Sequence, residues 1–183
     1  MRITSTHLLL DACCVINFAA SGSLFDILSC IPAQIVITEE VKSELSGLPC
    51  SEGESSGSLI QLQLAIEKQI LVITDFNSED EESLFIDYAS TLGDDGEAST
   101  AAIAIHRGWS IATDDKKAIS LFQKEIPHLE IKSTLEIVRY WSQQANLNSY
   151  ELRKVLESIQ NNARYVPHKN HPLRDWWLDL IKS

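Results

Sequence analysis

Three acids stand where apolar runs stop. Asp11 follows His7-Leu8-Leu9-Leu10, and the pair Asp114-Asp115 follows Ser110-Ile111-Ala112-Thr113. A carboxylate in so apolar a setting is costly unless it is neutralised or finds a positive partner. Several carboxylates brought to one point repel each other, so they persist only with raised pKa values or with a divalent cation between them. Hard oxygen ligands select Mg2+ or Mn2+, ions that keep waters and also accept phosphate oxygens. Such a centre suits phosphodiester cleavage, in which a metal-bound water becomes the nucleophile and the metal charge offsets the negative charge that grows in the transition state.

These acids need a scaffold whose strand ends meet. Residues 7–10, Gln34–Thr38, Ile70–Ile73, Ser110–Thr113 and Leu129–Lys132 are short apolar or β-branched runs of the kind found in buried parallel strands, the third of them suited to an edge. Helices are predicted over Cys14–Ala20, Leu24–Cys30, Glu39–Leu45, Glu79–Leu92, Glu97–His106, Lys116–Lys124, Ser133–Gln144 and Ser149–Asn161. Leu48–Ser58, rich in Ser, Gly and Glu, reads as an exposed loop. Alternating strands and helices with short turns point to a doubly wound α/β sheet, in which ligands sit beyond the carboxyl ends of the strands. There is no internal repeat and no interdomain linker.

With 183 residues, 44% of them hydrophobic, the chain suits one well-buried domain. No apolar run reaches the length of a membrane span, and the first residues lack a secretory pattern, so a cytoplasmic protein without a membrane partner is expected. Cys13, Cys14, Cys30 and Cys50 form no paired C-x-x-C knuckles and read as reduced, mostly buried thiols. The formal charge of −11 argues against a nucleic-acid partner until its distribution is considered: residues 1–100 hold 3 basic and 17 acidic residues, residues 101–183 hold 12 and 9. The later part therefore retains the means for a basic face. The run Asn77–Glu82 reads as a solvated acidic loop.

Four segments taken together, LLLDACCVINFAASG, IVITEEVKSELSG, LGDDGEASTAAIAIHRGW and SIATDDKKA, resemble in order and spacing the motifs of PIN-domain nucleases. The C-terminal stretch from Ser133 to Val166 is similar to the helix pair of a bacterial and archaeal subgroup described as nucleic-acid-binding PIN proteins. The resemblance implies a three-layer α/β/α fold with a mainly parallel central sheet over residues 1–166, leaving 167–183 as a tail that packs on the domain or on a partner. It implies a Mg2+- or Mn2+-dependent ribonuclease acting on single-stranded RNA, commonly the toxin of a toxin–antitoxin pair, with an antitoxin partner and homodimers among its members. Carried over residue by residue, the site acids are Asp11, Glu44, Glu97 and Asp114 or Asp115, with Asp11, Glu97 and the Asp114/Asp115 pair as metal ligands. Cys13 departs from the pattern, standing where many members have Ser, Thr or Asn.

Each of these residues also has a plainer role. Asp11 is placed to cap the helix that follows it. Glu44 matches V-x-x-E-L, with Glu40 as the alternative on the same helix. Glu97 opens a helix after Gly96, where the dipole favours a carboxylate without any metal; small residues let that helix approach the sheet, and Asp94-Asp95 add further acids. One of Asp114 and Asp115 is expected to ligate while the other caps. Thr113 is suited to hydrogen-bond a carboxylate or to cap. Lys116, Lys117 and Arg107 are candidates for RNA backbone contacts or plain surface cations. His168 and His171 share an H-x-x-H spacing, but Pro167 and Pro172 weaken it as a metal motif. Trp109 reads as core, and Trp176-Trp177 as a pin that holds the tail on its own core. The competing function is a catalytically silent PIN-like module that binds a protein or nucleic acid. A phosphatase or phosphoacceptor domain fits poorly, because Cys13 occupies the position where a dehalogenase-type phosphatase needs its second acid.

Overall fold

The structure, a computed structural model, describes residues 3–46 and 55–182. Five strands, β1 (His7–Leu10), β2 (Gln34–Thr38), β3 (Leu71–Thr74), β4 (Ser110–Ala112) and β5 (Ile131–Lys132), form one sheet in the order β3-β2-β1-β4-β5. Every pairing is parallel. Ten helices are present among the described residues: α1 (Ala12–Ala20), α2 (Leu24–Ser29), α3 (Glu39–Ser46), α4 (Ser55–Glu67), α5 (Glu79–Leu92), α6 (Asp95–Arg107), α7 (Lys116–Glu125), α8 (Thr134–Gln144), α9 (Ser149–Asn162) and α10 (Arg174–Lys182).

Strand alternation sorts the core into two faces. Leu8, Leu10, Ile35, Ile37, Leu71 and Ala112 pack with residues of α1–α4 and α8–α10, whereas Leu9, Val36 and Ile111 pack with Leu92, Ala101, Ile103, Ala104, Ala118 and Phe122 of α5, α6 and α7. The result is the three-layer α/β/α fold expected from the resemblance. The order explains why the faces divide in this way. Successive crossovers move from β1 outward to β3, then the chain returns past β1 to β4 and moves outward the other way. Right-handed crossovers in opposite directions put their helices on opposite sides. The reversal places the topological switch between β1 and β4. The register there pairs Leu10 with Ala112, so Asp11 and Thr113 leave the sheet side by side.

Two expectations need correction. Part of the stretch read as a loop, residues 55–58, begins α4, while 48–54 lies outside the described residues. Its Ser- and Gly-rich start has weak helix propensity, but Ala65 is fully buried and Leu62 and Ile66 pack on the same core, and tertiary packing outweighs propensity. Of the acidic run 77–82, read as a solvated loop, only Asn77 and Ser78 lie outside a helix, and the rest begins the helix predicted over Glu79–Leu92. Ser78 caps α5 by accepting from the Glu81 N–H, and Glu79–Glu82 form its first turn, where acids complement the dipole. The tail forms α10, which buries Trp177 against the core.

Candidate functional site

The backbone of Asp11 continues the sheet by one more bond, its N–H donating to the Ala112 carbonyl at 3.0 Å. Although Asp11 occupies the N-cap of α1, its side chain makes no cap hydrogen bond. The carboxylate is held instead by Thr113 past the neighbouring strand and by Cys13 of α1: Oδ2 accepts from Thr113 Oγ1 at 2.8 Å and from Cys13 Sγ at 2.9 Å. Asp11 is 4% exposed. Burial pushes its pKa up, against the hydrogen bonds from Cys13 and Thr113, and the charge of Asp94 pushes the same way as burial.

The second strand end brings in Glu44. A relay of buried hydroxyls joins β2 to the start of α6: Val41 N–H donates to Thr38 Oγ1, Thr38 and Ser99 hydroxyls are 2.8 Å apart, and Ser99 Oγ donates to the Gly96 carbonyl. This docks the Asp94–Glu97 turn over the carboxyl end of the sheet. Gly96 sits close under two acids: a Cβ there would lie 3.0 Å from Glu44 Oε2 and 3.3 Å from Asp94 Oδ1. Glu44 Oε2 thus stands against the turn that opens α6, while Oε2 of Glu40 on the same helix is buried without a hydrogen-bond partner.

Asp94 caps α6 by accepting from the Glu97 N–H at 2.9 Å, and Asp115 caps α7 by accepting from the Ala118 N–H at 2.8 Å. Both charges still reach Glu97. Its pKa is pushed up to about 8, first by burial and then by Asp115, Asp11 and Asp94, with Lys117 offsetting part of the rise. Glu44 is raised by burial, Asp94 and Asp11. Asp11, Glu44, Asp94, Glu97 and Asp115 thus form one electrostatic unit at the carboxyl ends of β1, β2 and β4.

Asp114 faces another way. Its oxygens point into the junction of α1 and α8, where Thr134 N–H lies 3.3 Å from both of them, Asn17 Nδ2 donates to Oδ2 at 3.3 Å and Tyr165 OH donates to Oδ1 at 3.2 Å. The expected capping role falls to Asp115. Asp115 both caps α7 and faces the acids, while Asp114 ties α1, α8 and Tyr165 together.

The sulfur and oxygen atoms of Cys13, Cys14 and Asp114 also come within 4.8 Å of one another. The acid unit offers carboxylate oxygens, with Asp11, Glu44 and Glu97 raised above their ordinary pKa values, of the kind a hard dication takes. Chain order, strand ends and these acids can be compared with known families. A family model described as a PIN domain matches residues 7–172. The chain belongs to the PIN-domain family. Comparison with curated proteins gives no match.

Within this PIN domain, the nuclease-type fold and the acidic centre coincide at the switch point. Arg107, a candidate RNA contact, is committed elsewhere. Its guanidinium binds the fully buried Glu81 through Nε at 2.7 Å and Nη2 at 2.8 Å, and also reaches Thr74 Oγ1 and the Asp75 carbonyl. Lys117 Nζ donates to the Leu92 carbonyl at 2.6 Å, and Lys116 is exposed. His168 and His171 each accept a backbone N–H at Nδ1 within their own turn. Trp109 stacks on His7 at 4.1 Å and packs against the second core. Tyr165 and Asn17 were not foreseen as site residues; nothing in their local sequence marks them, because they act only through the contact with Asp114. Asp94 carried a readable signal, an Asp at the N-cap position just ahead of a helix. No described helix of this PIN domain is long and apolar enough to cross a membrane.

Proposed function

We propose that this PIN-domain protein is a Mg2+- or Mn2+-dependent endoribonuclease that cleaves single-stranded RNA and serves as the toxin of a toxin–antitoxin pair. One observation carries the reading. The charges of carboxylates from four separate segments reach one another: burial and Asp94 push Asp11 up, burial with Asp94 and Asp11 pushes Glu44 up, and burial with Asp115, Asp11 and Asp94 pushes Glu97 up, against Lys117. Asp11, Glu44, Glu97 and Asp115 are the oxygen donors for the ion, and Asp94 adds negative charge beside them. When bound, the dication lowers the pKa of its water and offsets charge on the phosphate.

The chain's own residues supply the rest. Thr113 and Cys13 fix one Asp11 oxygen by donating to it, which orients the carboxylate before any ligand arrives. Without an ion, burial and the charges of Asp115, Asp11 and Asp94 hold Glu97 up at about 8, and a bound dication would offset those charges and favour its ionised form. Asp114 sets the angle between α1 and α8 and so acts through position. Lys116, exposed at the first turn of α7, is available to a phosphate of the RNA.

The test is cleavage of a labelled single-stranded RNA in Mn2+, compared with Asp11→Asn and with chelator. Loss of a group that stabilises transition-state charge costs at least about 100-fold; equal rates in the two proteins would refute the assignment. Arrest of growth on expression, absent with Asp11→Asn, tests the toxin role. The silent-module reading is favoured by the 17 acids against 3 bases in residues 1–100, an awkward surface for RNA. Mn2+ binding accompanied by turnover rules it out.

A further inference from the structure

Cys13 and Cys14 are adjacent on α1, and the carboxylate that faces them comes from Asp114 beyond β4, 100 residues away from Cys14. We propose that Cys13 Sγ, Cys14 Sγ and Asp114 Oδ2 form a second cation site, selective for a thiophilic dication such as Zn2+ or Cd2+ and adjoining the hard-ion site through Cys13. Two thiolates with one carboxylate is a donor set that soft and borderline metals take and Mg2+ does not.

The spacing suits it. Bond lengths near 2.3 Å to sulfur and 2.0 Å to oxygen put tetrahedral ligands roughly 3.5–3.8 Å apart. Cys14 Sγ already stands 3.8 Å from Asp114 Oδ2, and all three ligand atoms lie within 4.8 Å of one another. The supports are also in place. Tyr165 OH donates to Asp114 Oδ1, leaving Oδ2 turned toward Cys14 and Asn17, and Thr134 Oγ1 lies 3.5 Å from Cys14 Sγ. Such outer contacts orient a ligating carboxylate. Cys13 is only partly buried and gives the cation a way in. On binding, each thiol loses its proton to water and its sulfur forms a bond to the cation; no oxidant or reductant is involved.

Cys13 is shared between the two sites, because its thiol hydrogen is the one donated to Asp11 Oδ2. Occupation of the thiolate site removes that hydrogen and places positive charge beside Asp11. This consequence, unlike the site itself, rests on the hard-ion reading given above.

The experiment titrates the reduced, metal-free full chain with Cd2+ and follows the ultraviolet cadmium–thiolate absorption. One Cd2+ per chain is expected, with the band retained when Cys30→Ala and Cys50→Ala are combined. Cys13→Ser, which keeps a donor for Asp11, and Asp114→Asn are each expected to weaken Cd2+ binding at least about tenfold. Absence of the band at stoichiometric Cd2+, or a band unchanged by Cys13→Ser, overturns the proposal. Mn2+ calorimetry on the Cd2+-loaded protein then reads the coupling. An Mn2+ affinity lowered about tenfold supports it and an unchanged one refutes it; if Mn2+ binds neither form, the hard-ion reading has failed and the thiolate band decides this site on its own.

Discussion

Glu97→Gln should make the metal-free protein more stable and the stabilisation should depend on pH. Folding raises the Glu97 pKa from 4.5 to about 8, first through burial and then through Asp115, Asp11 and Asp94. The folded chain therefore holds a proton that the unfolded chain releases, and this group's contribution is complete below the unfolded pKa and lost as pH rises through the folded one. An unscreened rise of that size corresponds to about 5 kcal/mol. Glu97 is only half buried, and solvent and salt screen such charges, so about 2 kcal/mol is the working figure. In a chain of 183 residues that is a rise in Tm of about 4–8 °C. Thermal unfolding in chelator at about pH 9 should show this gain for Glu97→Gln, and at about pH 5 the two proteins should nearly coincide. Adding Mn2+ should stabilise the wild type more than the variant, because a ligand that binds only the folded state adds stability that grows with the logarithm of its affinity. A variant no more stable than wild type at the higher pH, or a gap of the same size at the lower, would refute the convergence of acids on Glu97.

Arg107→Ala leaves the Glu81 carboxylate buried without its two-pronged partner and should cost about 3 kcal/mol in urea unfolding, with no separate change in RNA affinity. Tyr165→Phe removes the hydroxyl that donates to Asp114 and should cost about 1–2 kcal/mol while leaving Mn2+ affinity within a few-fold, as measured by calorimetry. Glu130→Gln should lose about 1 kcal/mol at neutral pH after allowance for screening. Although burial works against it, hydrogen bonds from Thr4, Lys132 and Ser110 hold this carboxyl down at about 2. That stability is present above the unfolded pKa and disappears as pH falls through the folded one, so acid unfolding of wild type and variant should converge near pH 2.

Much of the scaffold was legible before any coordinates. Short apolar runs such as Leu8–Leu10 and Ile35–Ile37 identify buried parallel strands, and α5, α8 and α9 have caps and apolar spacing that read directly as helices. Helix α4 was not legible because its Ser- and Gly-rich start has the composition of a loop, and only burial of Ala65 and its neighbours stabilises it as helix. The committed role of Arg107 was hidden for the same kind of reason, since its partner Glu81 lies on another helix and was itself read as part of a solvated run.

What the sequence by itself determined is the order of strands and helices and the presence of Asp11, Glu44, Glu97, Asp114 and Asp115 at points where such elements begin or end. Periodicity carries that information because one face of each element must be apolar. Tertiary structure alone decided which carboxylates share a pocket. Asp114 and Asp115 are neighbours just past a strand end, where alternation no longer dictates side-chain direction, and one turns to Tyr165 while the other turns to Glu97. Gly96 lets the start of α6 lie against Glu44 in the last turn of α3. Such choices depend on atoms far apart in the chain, and no local pattern records them.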